Sequence, residues 1–325
     1  WHALPLPIPR PPCYTPPMIQ RIDTDRVPAE TRRAYHDAGW IALGGNLLLA
    51  AAKGVVAWRT RSSAIYADAA NSTSDLAYSL LMLVGLWFAL RPPDAGHPHG
   101  HRRAEPFVSM FIGLAMAAAG IEAARAGLNG LMAGRRPTLD AWPLLVLAGS
   151  ALVKTGMYLR VRQLGRAVGS PTLYASAKDN LSDVVASSSA VAGAFASLLW
   201  APADALTAWA VALWIFRGAW DVLHEAANQL LGGSAPQELQ DAIVAAVQSV
   251  PGVIRTDRVI VEQQGPQVYA DIHIRMDGAT PLEVVHRTSH LVRERVQALR
   301  QVDHAYIHVE PWPLRDEARL PEDNP

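Results

Sequence analysis

The 325-residue chain contains one cysteine, Cys13. That excludes a disulfide framework and any zinc or iron–sulfur site built from several thiolates. An excess of charge is missing too, since 29 basic side chains balance 29 acidic ones. Without a basic surface the chain has no electrostatic footprint for nucleic acid, and no nucleic-acid partner is expected. Only 18% of residues are charged against 50% hydrophobic, which argues against a highly charged disordered chain. The mean hydropathy of +0.09 averages two unlike parts. Residues 38–232 are rich in Ala, Leu, Val, Gly and Trp, whereas residues 235–325 have the composition of an ordinary soluble domain.

Crossing a hydrocarbon core about 30 Å thick takes about 20 mostly apolar residues. Val184–Ala203 meets that without a charge. Five more stretches meet it if a few polar residues face a bundle interior. They are Trp40–Trp58 with Lys53, Ile65–Leu90 with Asp68 and Asp75, and Pro106–Leu131 with Glu122 and Arg125. The others are Ala141–Leu159 with Lys154, and Ala205–Leu223 with Arg217 and Asp221. The fifth span in chain order starts before its clean run, near Pro171, and takes in Lys178, Asp179 and Asp183. Six such segments joined by short Arg- or Pro-containing loops would be hard to pack as a water-soluble helical protein, so the expected partner is a lipid bilayer.

Arg21, Arg26, Arg32, Arg33, Arg91, Arg102, Arg103, Arg160, Arg162 and Arg166 fall on one side of these spans. Only Arg59, Arg61, Arg135 and Arg136 fall on the other. The positive-inside rule then puts both termini in the cytoplasm, which requires an even number of spans. The first 17 residues hold seven prolines and no basic–apolar–small-residue order. They read as a flexible tail, or as sequence upstream of a start at Met18, rather than as a signal peptide.

From Pro236 the period changes. Pro236–Val250 has helical spacing and ends at Pro251-Gly252. Val253–Glu262 and Gln267–Met276 are β-type runs joined by the turn Gln263-Gln264-Gly265-Pro266; Pro281–Leu299 is helical and Ala305–Pro311 a short closing strand. The order α-β-β-α-β fits a ferredoxin-like sandwich. The predicted fold is therefore an α-helical membrane protein of six transmembrane helices with a C-terminal α+β ferredoxin-like cytoplasmic domain. Residues 1–34 are expected as a Pro-rich flexible tail, 35–232 as the membrane domain, 233–312 as the cytoplasmic domain and 313–325 as a second tail. A module of about 75 residues has a thin core and would gain stability by dimerising.

Ionisable groups inside a bilayer cost about 2.5–3.5 kcal/mol each on insertion scales, so each needs a reason. In the second span Asn71 and Asp75 are four apart and share one helix face, with Asp68 on the same stripe. In the fifth span Asp179 and Asp183 repeat the spacing. Facing each other, the two helices would gather three carboxylates and an amide oxygen, a cluster that a divalent cation resolves. The plain alternative is a set of caps or intramembrane ion pairs, such as Lys178 with an aspartate. The loop Asp94–Glu105 places Asp94, His97, His99 and His101 within eight residues, which has metal-ligand chemistry against the plain reading of a solvated loop. His273 and His308 fall on expected strands with Glu310 two residues on, and His286 and His290 lie one helical turn apart.

Together these features resemble the cation diffusion facilitator family. The resemblance rests on the six spans, the paired i, i+4 oxygen ligands and the His-rich loop leading into Arg103-Ala104-Glu105, with the α-β-β-α-β tail. It extends from about Tyr35 to Pro311. It implies a homodimeric antiporter, not an enzyme, that exports divalent transition metals in exchange for protons across the inner membrane of a bacterial cell. It also implies a transport site at Asn71, Asp75, Asp179 and Asp183, a loop site at Asp94, His97 and His101, and cytoplasmic sites at Asp257, His273, His286, His308 and Glu310.

Zinc-type members usually carry histidine where this chain has Asp179, and histidine or aspartate where it has Asn71. Some relatives have His and Asp where Asp257 and Glu310 stand here. Gly232 occupies a position where some carry an acid that pairs with a basic residue at the position of Arg103. The Asn-Asp with Asp-Asp arrangement resembles the manganese-exporting branch, so Mn2+ is the expected cargo, with Fe2+ next and Zn2+ or Co2+ behind. An intramembrane enzyme would need a nucleophile with a base, and no span pairs a histidine with a serine or cysteine. A metal-responsive membrane sensor is the remaining alternative, separable by the absence of flux.

Overall fold

The computed structural model describes residues 28–60, 63–97, 99–133, 141–200 and 202–312. Six long helices come first: α1 (Ala29–Thr60), α2 (Ser63–Ala89), α3 (Ala104–Ala133), α4 (Ala141–Val168), α5 (Pro171–Ala196) and α6 (Ala203–Leu230). At 26–32 residues each, they are about 40–48 Å long, enough to cross the hydrocarbon core and project beyond it. Five are long and apolar enough to span a membrane. α5, with Lys178, Asp179, Asp183 and five serines, falls short of that apolarity. The outer surface is unlike that of a water-soluble bundle. Leu145, Leu152 and Leu159 on α4, and Leu213, Trp214 and Trp220 on α6, are all exposed, an apolar surface that suits lipid.

Helix pairing follows small residues. α3 and α6 pack tightly, as do α1 with α2 and α4 with α5. At Gly127 a Cβ would lie 2.9 Å from the carbonyl oxygen of Ala205, so only glycine lets the α3 and α6 backbones approach this closely. α5 starts where the sequence puts it. Pro171 supplies a preset φ at the first turn, and the Ser170 side chain accepts a bond from the Leu173 amide.

α1 starts at Ala29, inside the stretch expected as a tail. Ala34, Tyr35 and Ala38 recur at helical spacing and are buried, which extends the helix N-terminal to the expected start. The rest of that tail, the tail 313–325, and Arg21, Arg26, Arg61, Arg135 and Arg136 lie outside the described residues.

The C-terminal part has the element order expected: α7 (Gln237–Gln248), β1 (Arg255–Gln264), β2 (Gln267–Asp277), α8 (Leu282–Gln297) and β3 (Val302–Trp312). The sheet order is β1-β2-β3, with β1 and β2 antiparallel and β2 and β3 parallel. Strand alternation sorts the faces. Val268, Ala270, Ile272, Ile274 and Met276 of β2 point to a core closed by Ile243 and Val247 of α7 and Val292 and Val296 of α8. The odd-numbered residues of β2 therefore occupy the opposite, helix-free face. Asp257 is the extra residue of a β-bulge between Thr256 and Arg258.

Candidate metal sites

The interior site is built by residues of four helices, α1, α2, α4 and α5. α2 supplies Asp75, and α5 supplies Asp179 and Asp183 one turn apart. Asp75 and Asp179 line one small cavity of about 20 Å³ with Asn46, Ser79, Ser176 and Asn180, room for a single small occupant. The Asn46 amide donates to Ser79 Oγ (2.7 Å), and Ser79 Oγ donates to the Asp75 carbonyl (2.8 Å), which fixes this turn of α2. The side chains of Asn71 and Asp68 lie outside the described residues.

A residue the spacing argument did not connect to the site sits at its centre. Lys154 of α4, 3% exposed, places Nζ 3.0 Å from Asp75 Oδ2 and 2.5 Å from Asp183 Oδ2. Its anionic neighbours are Asp183, Asp75 and Asp179. One signal for it was in the sequence, because a lysine in mid-span needs an acidic partner. The aspartate expected as a partner of Lys178 is Asp221 of α6, at 2.5 Å, and Arg217 joins that pair at 3.3 Å. Lys178 is thus spent outside the carboxylate cluster.

The loop residues also come together. Ligand atoms of Asp94, His97 and His101 all lie within 4.8 Å of one another. Asp94 Oδ1 accepts bonds from the Gly96 and His97 amides, and these, the His97 amide foremost, hold its carboxyl below the usual range. His97 Nδ1 is 3.2 Å from Oδ1, and His101 Nε2 is 3.3 Å from Oδ2. His101 is buried against the edge of Phe88, while His97 and Asp94 are exposed. His99 points elsewhere, its ring against Tyr269 of β2.

In the C-terminal domain His273, His308 and Glu310 form a second such cluster within 4.8 Å. The parallel register makes His273 and His308 direct neighbours on the helix-free face, ring centroids 4.7 Å apart. Two residues grouped with them by the family resemblance are placed apart. Asp257 is bound by Arg275 and, at 2.5 Å, by Arg255, and hydrogen bonding to Arg275 first holds its carboxyl below the usual range. The bulge turns it to the arginines. His286, on α8, packs its ring on His290 at 4.5 Å and is not in the cluster.

The junction between the two parts is ionic. Arg103 does find an acid, but it is Glu262 of β1, at 2.5 Å, rather than a residue at position 232. Gly232 has φ +78°, and a Cβ there would lie 3.6 Å from Glu262 Oε1, so the acid arrives from the sheet instead of the helix end. Next to it Arg102 and Asp303 pair at 2.7 Å, both nearly buried. Glu105, fully enclosed, accepts bonds from Tyr35 Oη and from Ser170 Oγ (2.5 Å).

Helices fit for a bilayer, interior carboxylates and histidine–carboxylate clusters at one end of the helices and in the C-terminal domain define a membrane protein that handles cations. Residues 39–231 match the cation efflux transmembrane domain and residues 235–312 the cation efflux protein cytoplasmic domain. The chain belongs to the cation efflux (cation diffusion facilitator) family and is a membrane transporter, not an enzyme. It is 32% identical over 269 residues to the "Uncharacterized transporter YdbO" of Bacillus subtilis, covering 82% of this chain and 91% of that one. It is 27% identical over 274 residues to "Manganese efflux system protein MneS" of the same organism, covering 83% and 93%. With "Manganese efflux system protein MneP", also from Bacillus subtilis, it shares 25% over 294 residues, covering 87% and 98%.

Proposed function

We propose that this transporter exports Mn2+ from the cytoplasm in exchange for protons, as a homodimer with six spans and both termini cytoplasmic. The observation that carries the proposal is the donor set of the interior site. Asp75 and Asp179 line one cavity with amide and hydroxyl side chains and Asp183 joins Asp75 through Lys154, so the described donors there offer oxygen and no imidazole or thiolate. Carboxylate, amide carbonyl and water suit manganese, whereas zinc favours four-coordinate sites with imidazole or thiolate. Asn71, one turn before Asp75, is assigned as the amide ligand. α5 serves as the sixth span, its polar residues shielded by α3, α4 and α6. The manganese efflux proteins among the relatives support the same cargo.

The loop cluster Asp94–His97–His101 and the domain cluster His273–His308–Glu310 are proposed as further cation sites on the cytoplasmic side, in a dimerising, ferredoxin-like domain. Asp257 and His286 join a site only if the partner subunit or a rearrangement supplies the missing contacts. The Irving–Williams order favours zinc at almost any site, so oxygen-only geometry reduces that advantage rather than abolishing it. Fe2+ is the nearest competitor, with Zn2+ and Co2+ behind. The test is a flux panel of Mn2+, Fe2+, Co2+, Zn2+ and Cd2+ in sealed vesicles with an imposed pH gradient. Transport of zinc and none of manganese overturns the cargo assignment. Absence of flux for every ion favours a sensor.

A further inference from the structure

We propose that Lys154 is a tethered counter-cation that occupies the transport site between cargo ions and must be displaced for a divalent ion to bind. The inference rests on the reading of Asp75, Asp179 and Asp183 as the transport site. Its ammonium lies 3.0 Å from one carboxylate of α2 and 2.5 Å from one of α5, and it reaches them from a third helix. A simple strut would need one acidic partner. Lys154 instead bridges two helices at the oxygens a cation would use, beside a cavity with room for one small occupant.

Two consequences follow from electrostatics. Three half-buried carboxylates without a counter-charge repel one another and lose part of their solvation, so an empty site is costly unless positive charge stands in. Lys154 supplies one such positive charge in the metal-free carrier and the exchanged protons supply the rest, which lets the carrier close and reorient without metal. A divalent ion that shares Asp75 and Asp183 meets a like charge a few ångströms away, so Lys154 competes with it and lowers its affinity. The device therefore trades tightness of binding for return of the empty carrier.

The test uses the full-length protein and Mn2+ alone as the probe. Transport-site binding is taken as the portion of Mn2+ binding lost on Asp75→Ala, which removes the contribution of the loop and domain clusters. Lys154→Met should tighten that portion by at least about tenfold, and Lys154→Arg should leave it near wild type. In proteoliposomes Lys154→Met should keep Mn2+/Mn2+ exchange, which needs only the loaded carrier. Its net Mn2+ transport, which needs the empty one, should fall by at least about tenfold. A structural strut predicts the reverse: weaker binding, with exchange and net transport falling together. That result overturns the proposal, as does Lys154→Met affinity equal to wild type.

Should Lys154→Met not assemble, the wild-type protein carries the test. Saturating Mn2+ should raise the reactivity of Lys154 toward an amine acylating reagent, read by mass spectrometry. Unchanged labelling overturns the proposal. Failure of the transport reading itself looks different: no wild-type flux, or Mn2+ binding indifferent to Asp75→Ala.

Discussion

Two neighbouring arginines at the membrane–domain junction should respond very differently to removal. Arg102 and Asp303 are each 10% exposed and pair at 2.7 Å, whereas Arg103 and Glu262 pair at 2.5 Å but are 57% and 33% exposed. Arg102→Met leaves the Asp303 carboxylate buried without its counter-charge, at a cost of about 3–5 kcal/mol. Arg103→Ala removes a solvent-screened pair worth about 0–1 kcal/mol. The difference should appear as loosening of the sheet from the helix ends, since a further ion pair there, Glu30 with Arg300, is solvent-exposed and worth about 0–1 kcal/mol. Hydrogen exchange reads it directly at two amides that close the junction, Ala235 bonded to Val261 O (3.0 Å) and Gln263 bonded to Gly233 O (3.0 Å). In Arg102→Met these amides should exchange faster by a factor on the order of 10². In Arg103→Ala the change should stay within about fivefold. Equal effects of the two substitutions, or an Arg102→Met protein with wild-type protection, would refute the burial argument.

Asp75→Ala or Asp183→Ala should abolish metal transport in vesicles while the dimer persists on size exclusion, since a dehydrated cation has no cheap replacement for a lost carboxylate. Either mutant transporting at the wild-type rate would misplace the site. Residues 235–312 alone should fold as a soluble dimer, tightened by metal through His273, His308 and Glu310. A monomer at high concentration, with and without Mn2+, would contradict this. His304 is held below its ordinary pKa by burial first and by Arg293 second. The unfolded chain then binds the proton more readily, so stability falls as pH drops below about 6.5 and levels off below the folded value. In thermal melts of the fragment, His304→Gln should flatten that part of the pH profile, and an unchanged slope would count against the assignment.

Much of the architecture was legible because its signals are local. Apolar runs of helix length marked the six long helices, Pro171 marked the start of α5, and the β-type run Gln267–Met276 marked β2. The i, i+4 spacing of Asp179 and Asp183 needed only the pitch of a helix. What escaped depends on tertiary pairing. Nothing local joins Lys154 to Asp75, 79 residues away, or Arg103 to Glu262, 159 residues away. Asp257 was misleading for a different reason. A one-residue bulge changes where a strand residue points, and β1 carries no proline or glycine to announce it. The start of α1 was missed because its first turns are polar and reach partners outside the bilayer, Glu30 with Arg300 and Tyr35 with Glu105.

The enclosure of Glu105 has a mechanical meaning. One carboxylate at the start of α3 grips Tyr35 near the start of α1 and Ser170 at the start of α5, so three helices are pinned together at a common end. A joint of that kind permits swing and forbids sliding. Over helices about 40 Å long, a swing of about 10° about the pin carries the far ends through about 7 Å, while the pinned ends barely move. Any large opening among α1, α3 and α5 is therefore confined to the membrane face opposite Glu105. On the near face the gap must open along α2, α4 and α6, which the pin does not hold.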